Sequence, residues 1–166
     1  MKKNFIDLFA GIGGFHLAIH DDNWNCVYAS ENDKYARQTY EHNFKNISPY
    51  IFENNLFNDD ILEVDPKDIP DHNLLCAGFP CQPFSQAGYK KGFLENLENR
   101  GNMFFVIRNI IAEKRPDAFF LENVRHLINH DGGRTFNIIK NILENELEYN
   151  ISHKIIKASD YGLPQH

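Results

Sequence analysis

Two short stretches of this chain carry residues able to do chemistry. The first is Gly78-Phe79-Pro80-Cys81-Gln82-Pro83-Phe84-Ser85. A lone cysteine is ordinarily a small core hydrophobe, and that reading suits Cys26 and Cys76, which sit inside apolar, strand-like runs. Cys81 differs: it follows such a run into a loop stiffened by prolines, where a helix N-terminus or a cation would lower its pKa and free a thiolate nucleophile. The second stretch is Phe119-Phe120-Leu121-Glu122-Asn123-Val124, an apolar strand ending on a carboxylic acid. Alone, a strand-end glutamate bonded to a helix N-terminus accounts for it. Beside Cys81 on one sheet edge, it sets an acid and a nucleophile over a shared pocket.

A third feature points to a ligand. Gly11-Ile12-Gly13-Gly14 lies between a strand and a helix, where glycines let the backbone approach a bound group and aim amide N–H groups at it. Gly11 and Gly13 match the first two positions of the dinucleotide fingerprint, but the third falls on His16, where helix–strand packing wants a small residue. That argues against a nicotinamide or flavin oxidoreductase. Glu31, about 20 residues past the glycines, sits where an acidic side chain accepts hydrogen bonds from both ribose hydroxyls, so a nucleoside cofactor fits. The alternative for the pair is a tight turn with Glu31 capping the next helix.

The elements that must position these residues alternate in βαβ rhythm. Strands are expected at Asn4–Phe9, Cys26–Ser30, Asn73–Ala77 and Ala118–Leu121, with a further strand near His153–Lys157. Helices are expected from Phe15 to His20, from near Asp33 with Ala36, Tyr40 and Phe44 on one face, after Asp60 and Ile61, and from about Thr135 to Leu147. Another presents Met103, Phe104, Ile107, Ile110 and Ile111 and closes at Lys114-Arg115-Pro116. Gln82 to Arg100 is a long loop without sustained period, a length usually functional. The expected fold is α/β, a doubly wound and mostly parallel sheet. His126 and His130 are four apart, but with no third ligand nearby they are read as surface histidines, and no metal site is expected.

Composition narrows the class. The 166 residues and 19.3 kDa suit one α/β domain, and no segment approaches the roughly 20 apolar residues of a membrane span. A cytoplasmic protein with no membrane partner is expected. Seventeen Lys and Arg against 23 Asp and Glu give a net charge of -6, the wrong sign for gripping nucleic acid through bulk electrostatics.

The sequence resembles the N-terminal catalytic part of a DNA (cytosine-5)-methyltransferase of the bacterial restriction-modification type. Phe5 to Gly14 resembles the family's first cofactor motif, Glu31-Asn32-Asp33 the second, Gly78-Phe79-Pro80-Cys81-Gln82 the nucleophile motif and Glu122-Asn123-Val124 the catalytic acid motif. Tyr161-Gly162-Leu163-Pro164-Gln165 resembles the opening of the motif that carries catalytic arginines. The resemblance implies a Rossmann-like, S-adenosylmethionine-dependent methyltransferase fold that is incomplete at its C-terminus, with residues 1–166 forming the catalytic, cofactor-binding domain. It implies double-stranded DNA as substrate, S-adenosylmethionine as cofactor and S-adenosylhomocysteine as product. Cys81 then adds to C6 of a flipped-out cytosine while Glu122 bonds N3 and the exocyclic amine. Phe9, Gly11, Ile12, Gly13, Glu31, Asp60, Ile61, Pro80 and Met103 surround the cofactor. Asn32 departs from the pattern, since many relatives carry an aromatic residue there. Ser85, Lys90, Lys91 and Arg100 lie in what resembles the family's DNA-closing loop, where they touch DNA phosphates or form a solvated basic stretch. The family's arginines and target-recognition domain follow Gln165, so they are expected from a longer product or from a second, complementary chain. A non-catalytic S-adenosylmethionine-binding subunit or an inactive remnant is the competing expectation.

Overall fold

A computed structural model of the chain describes residues 2–80 and 103–164. They fall into two compact units, Met1–Asn123 and Val124–His166. In the first, the elements are β1 (Lys3–Leu8), α1 (Gly14–Ile19), β2 (Trp24–Ser30), α2 (Lys34–Phe44), α3 (Pro49–Glu53), β3 (Phe57–Asn58), β4 (Leu74–Gly78), α4 (Met103–Lys114) and β5 (Ala118–Glu122). Their five strands form one all-parallel sheet in the order β3-β2-β1-β4-β5.

The order follows from how each strand reads. Phe5 to Leu8 is buried throughout, as suits a central parallel strand covered on both faces, whereas β5 alternates half-buried and exposed residues. Parallel crossovers are right-handed. The chain winds from β1 outward to β3 and later from β4 outward to β5 on the other side, so α1–α3 lie on one face and α4 on the other. This is the expected doubly wound arrangement, and its direction reverses between β1 and β4. One core layer joins Phe5, Cys26 and Ala29 of the sheet to Tyr40, Phe44 and Ile51 of α2 and α3. The expected face of α2 is present, with Asp33 capping it by accepting from the Tyr35 and Ala36 amides at 3.0 and 2.8 Å. On α4, Phe104, Ile107, Ile110 and Ile111 are buried. The helix ends at Lys114 because Arg115 takes a left-handed conformation (φ 49°) before Pro116.

The second unit holds α5 (Arg134–Asn141), prolonged by a π-helical turn over Ile142–Glu146. Ile139, Ile142, Leu143 and Leu147 form its buried stripe.

Two expectations need correction. Residues 153–157 form no strand; they have no ladder partner among the described residues, and Ile155 and Ile156 are exposed. After Asp60 there is no α-helix but two 3-10 turns, Ile61–Glu63 and Pro66–Asp68, because Pro66 stands too close for a helix begun at Ile61 to propagate. Among the described α-helices and strands, two escaped the sequence reading: α3, and β3, whose two residues carry too little pattern to register.

Candidate active site

The parallel ladder brings the chemistry-bearing segments to one edge. Leu8 pairs with Ser30 and Ala77, Ser30 with Asn58, and Gly78 with Glu122. The glycine turn, Glu31, Asp60, Pro80 and Glu122 therefore all leave the sheet at its carboxyl end, where open α/β folds bind ligands.

The glycine turn starts with Phe9 in a left-handed conformation (φ 54°), followed by Gly11 (φ 56°) and Gly13 (φ 96°). The two glycines answer different needs. A Cβ at Gly11 would enter open space, leaving that backbone approachable, whereas one at Gly13 would run into the Phe44 ring. Ile12 projects outward and is 63% exposed. The turn is tied down by the Ala10 amide donating to Ser30 O at 3.0 Å and the Gly11 amide donating to Glu31 Oε2 at 2.8 Å. The other carboxylate oxygen, Oε1, accepts from the Asp33 amide at 2.8 Å. Glu31 thus clasps the glycine turn to the start of α2, while Asp33, and not Glu31, caps that helix. Asp60 caps the turn after β3 by accepting from the Leu62 amide at 2.9 Å. The Ile61 side chain is buried.

Beneath the turn lies a polar network with no counterpart in the sequence reading. His16, the residue at the third fingerprint position, is fully buried and stacks on Phe44 with ring centroids 4.0 Å apart. Its Nδ1 lies 2.6 Å from Tyr40 Oη and its Nε2 2.9 Å from Ser48 Oγ. Burial, with the neighbouring His20, lowers its pKa from 6.5 to about 3. The imidazole is therefore neutral and serves as a packed linker of α1, α2 and the start of α3. Asp7 is also buried, and among the described residues neither carboxylate oxygen meets a partner in full hydrogen-bond geometry, the His16 amide being near but not well aligned. Burial raises its pKa well above the usual carboxylate value; the backbone amide of His16 opposes this and the Glu31 charge adds to it. Burial, then the nearby Asp7, pushes the Cys76 thiol up to about 12, and burial raises the Cys26 thiol too. Both stay protonated inside the core, as expected from their apolar surroundings.

The β4–β5 end is built differently. Glu122 is exposed and has no hydrogen-bond or ion-pair partner among the described residues. Its Oε2 hangs over Gly78, 3.5 Å from where a Cβ would stand, with Phe15 packed beside the same spot. Asn123 donates from Nδ2 to Phe79 O at 2.7 Å, extending the β4–β5 pairing by a side chain one residue beyond the Gly78–Glu122 ladder pair. Pro80 is exposed and Met103 half-buried at the start of α4. Cys81, Ser85, Lys90, Lys91, Arg100 and Gln165 lie outside the described residues. His130 of the second unit turns its Nδ1 to Thr135 Oγ1 at 2.7 Å, with the His126 ring packed edge-on at 5.8 Å. No described helix is long and apolar enough to cross a membrane.

Comparison with known proteins agrees with this geometry. The chain is 51% identical over 165 residues to the type II methyltransferase M.SsoII of Shigella sonnei, covering 99% of this chain and 40% of that protein. It is 48% identical over 161 residues to M.HhaI of Haemophilus parahaemolyticus, covering 97% and 45%. The chain thus spans less than half the length of these curated relatives. Among solved structures, DNMT2 of Spodoptera frugiperda superposes with a TM-score of 0.61 at 22% identity, over 86% of this chain and 41% of that one. A DNA modification methyltransferase described as putative, encoded within an Escherichia coli prophage, gives 0.62 at 23% identity, over 86% and 38%. These two likenesses establish the fold. Residues 3–166 match the family of C-5 cytosine-specific DNA methylases, and the chain belongs to that family.

Proposed function

We propose that residues 1–166 are the cofactor-binding, catalytic portion of an enzyme that methylates C5 of a flipped-out cytosine in double-stranded DNA within a restriction-modification system. The observation that carries this reading is the pair of carboxylates on one sheet edge. Glu31 is pinned by the backbone amides of Gly11 and Asp33, whereas Glu122 is exposed and has no partner among the described residues, beside the strand that leads to Cys81.

The residues present fit S-adenosylmethionine. The Gly11 backbone is open to an approaching group, and each Glu31 oxygen, engaged by one amide, keeps a lone pair for a ribose hydroxyl. Phe9 would lie against the adenine or the methionine portion, Gly11, Ile12 and Gly13 would admit the methionine, and Asp60 and Ile61 would bracket the adenine. Pro80 and Met103 complete the enclosure. When bound, the cofactor supplies an electrophilic methyl group. The chain's own part is to make C5 nucleophilic, since an unactivated cytosine C5 reacts poorly. The target base leaves the duplex stack because its ring atoms are inaccessible within it. The Cys81 thiolate adds to C6, and Glu122 holds a proton at N3 while accepting from the exocyclic amine, so the electron pair collects at C5. Once that pair has formed the bond from C5 to the methyl group, loss of the remaining C5 proton to a base reforms the C5–C6 double bond, expels the Cys81 thiolate and restores the aromatic ring. Ser85, Lys90, Lys91 and Arg100 contact phosphates, the last three being local cations within a chain of net charge -6. Target recognition and the family's arginines are assigned to residues outside 1–166, in the same polypeptide or a complementary one.

The test is transfer of labelled methyl groups to duplex DNA by the full-length protein, set beside its Cys81→Ala variant. The variant is expected to lose transfer while its affinity for S-adenosylhomocysteine is unchanged. Transfer retained by Cys81→Ala would remove the central claim.

A further inference from the structure

We infer that Arg37 is a positioning residue for the adenosyl half of the cofactor site, setting the separation between Glu31 and the Asp60–Ile61 segment. The inference rests on the reading above that these residues receive the nucleoside.

β3 is only two residues long and lies at the edge of the sheet. Its ladder to β2, over the pairs Ala29–Phe57 and Ser30–Asn58, is flanked by the Ala29 amide donating to Leu56 O at 3.0 Å and the Glu31 amide donating to Asn58 O at 3.1 Å. Between them, the Phe57 carbonyl points away from the sheet, as alternate carbonyls of an edge strand do. So short a strand needs further support to hold Asp60, two residues on, in a defined place.

Arg37, one turn into α2, supplies that support from three directions. Its Nη1 donates to Glu31 O at 3.0 Å, its Nη2 donates to Phe57 O at 3.3 Å, and its guanidinium lies over the Phe57 ring at 4.4 Å. Tyr40, three residues further along the same helix, stacks on the same ring at 4.7 Å. Phe57 is thereby gripped by two α2 side chains, and one planar fork spans the ends of β2 and β3. A lysine, with a single point charge and no planar fork, reproduces neither the paired donation nor the stacking. The fork holds the carbonyl of the very residue whose carboxylate clasps the glycine turn, so its loss shifts Glu31 and Asp60 relative to each other.

The experiment is titration of the protein with S-adenosylhomocysteine and with adenosine, comparing wild type, Arg37→Ala, Arg37→Lys, Glu31→Ala and the Arg37→Ala/Glu31→Ala double variant. Temperatures are kept well below each variant's unfolding transition. Arg37→Ala is expected to weaken both ligands by the same factor, about tenfold, with Arg37→Lys close behind. In the Glu31→Ala background the Arg37→Ala effect is expected to shrink, because a residue acting through Glu31 is non-additive with it. A merely structural role would lower the unfolding temperature without that coupling. Unchanged affinity in a folded Arg37→Ala protein, or strictly additive losses, would overturn the inference. A wild-type protein that binds neither ligand would overturn the cofactor reading itself, and this inference with it.

Discussion

The two ends of the sheet's carboxyl edge treat their carboxylates in opposite ways. At the β1–β2 end both Glu31 oxygens are held by backbone amides, a guanidinium holds the Glu31 carbonyl, and a buried His16–Tyr40–Ser48 network lies underneath. At the β4–β5 end Glu122 projects from an exposed strand terminus with no partner among the described residues, and a bond from Asn123 to the Phe79 carbonyl lies nearby. A carboxylate whose hydrogen bonds are taken by the protein has a fixed position, ready to orient a ligand. One left unpartnered keeps its full capacity for a substrate, at the cost of being unpositioned until the substrate arrives. On the proposed function, the difference separates binding from chemistry along a single sheet edge.

That contrast is most easily broken at Glu122. Glu122→Gln in the full-length protein is expected to reduce methyl transfer by about 10²–10⁴-fold, the range for a lost general acid, with cofactor affinity unchanged. Comparable loss of cofactor affinity in a binding titration would show that the two ends are not separable. Next comes the packing beneath the glycine turn. Gly13→Ala combines a left-handed backbone with a Cβ thrust into the Phe44 ring, and is expected to cost about 2–5 kcal/mol in chemical denaturation. Gly11→Ala shares the positive φ but meets open space, so a loss there as large as at Gly13 would contradict the division of labour between them.

A smaller effect is expected at Glu31. Glu31→Ala should weaken S-adenosylmethionine binding by about 1–2 kcal/mol and quicken hydrogen exchange at the Gly11 amide, whose acceptor is lost. At saturating cofactor the rate of transfer should recover, the reverse of Glu122→Gln. The last is a pH effect on stability. His16 titrates near 3 in the fold, lowered by burial and then by His20, against about 6.5 in an unfolded chain. Between these values the unfolded state binds the proton that the native state refuses, so this contribution to stability is complete above pH 6.5 and falls as the pH drops toward 3. Asp7 has the opposite sign: its raised pKa favours the fold as the pH falls through that value toward the ordinary carboxylate range. Denaturation midpoints of His16→Gln in an Asp7→Asn background should show the acid-side slope between pH 6.5 and 3 flattened relative to Asp7→Asn alone.

Much of this was legible in the sequence, for particular reasons. Buried parallel strands read as apolar runs, so β1, β2, β4 and β5 were expected close to where they lie. Asp33 announced the start of α2, and the apolar face of α4 was complete in its spacing. The segment at 153–157 misled because Ile155-Ile156 carries strand propensity, yet a strand exists only where a partner supplies a ladder. Asp60–Ile61 misled because apolar residues alone do not indicate whether a helix has room to propagate before a proline.

The amino-acid order by itself determined the family, the order of the motifs and the identity of the two acids, because these depend on residue type and spacing along the chain. Tertiary structure decided which acid is held by backbone amides and which has no partner among the described residues, why Gly13 must lack a side chain, why His16 fills the place of a small residue, and that Arg37 joins the ends of β2 and β3. Each of these depends on contacts between segments distant in sequence, made when α2 packs across the sheet, and no local pattern of residues encodes them.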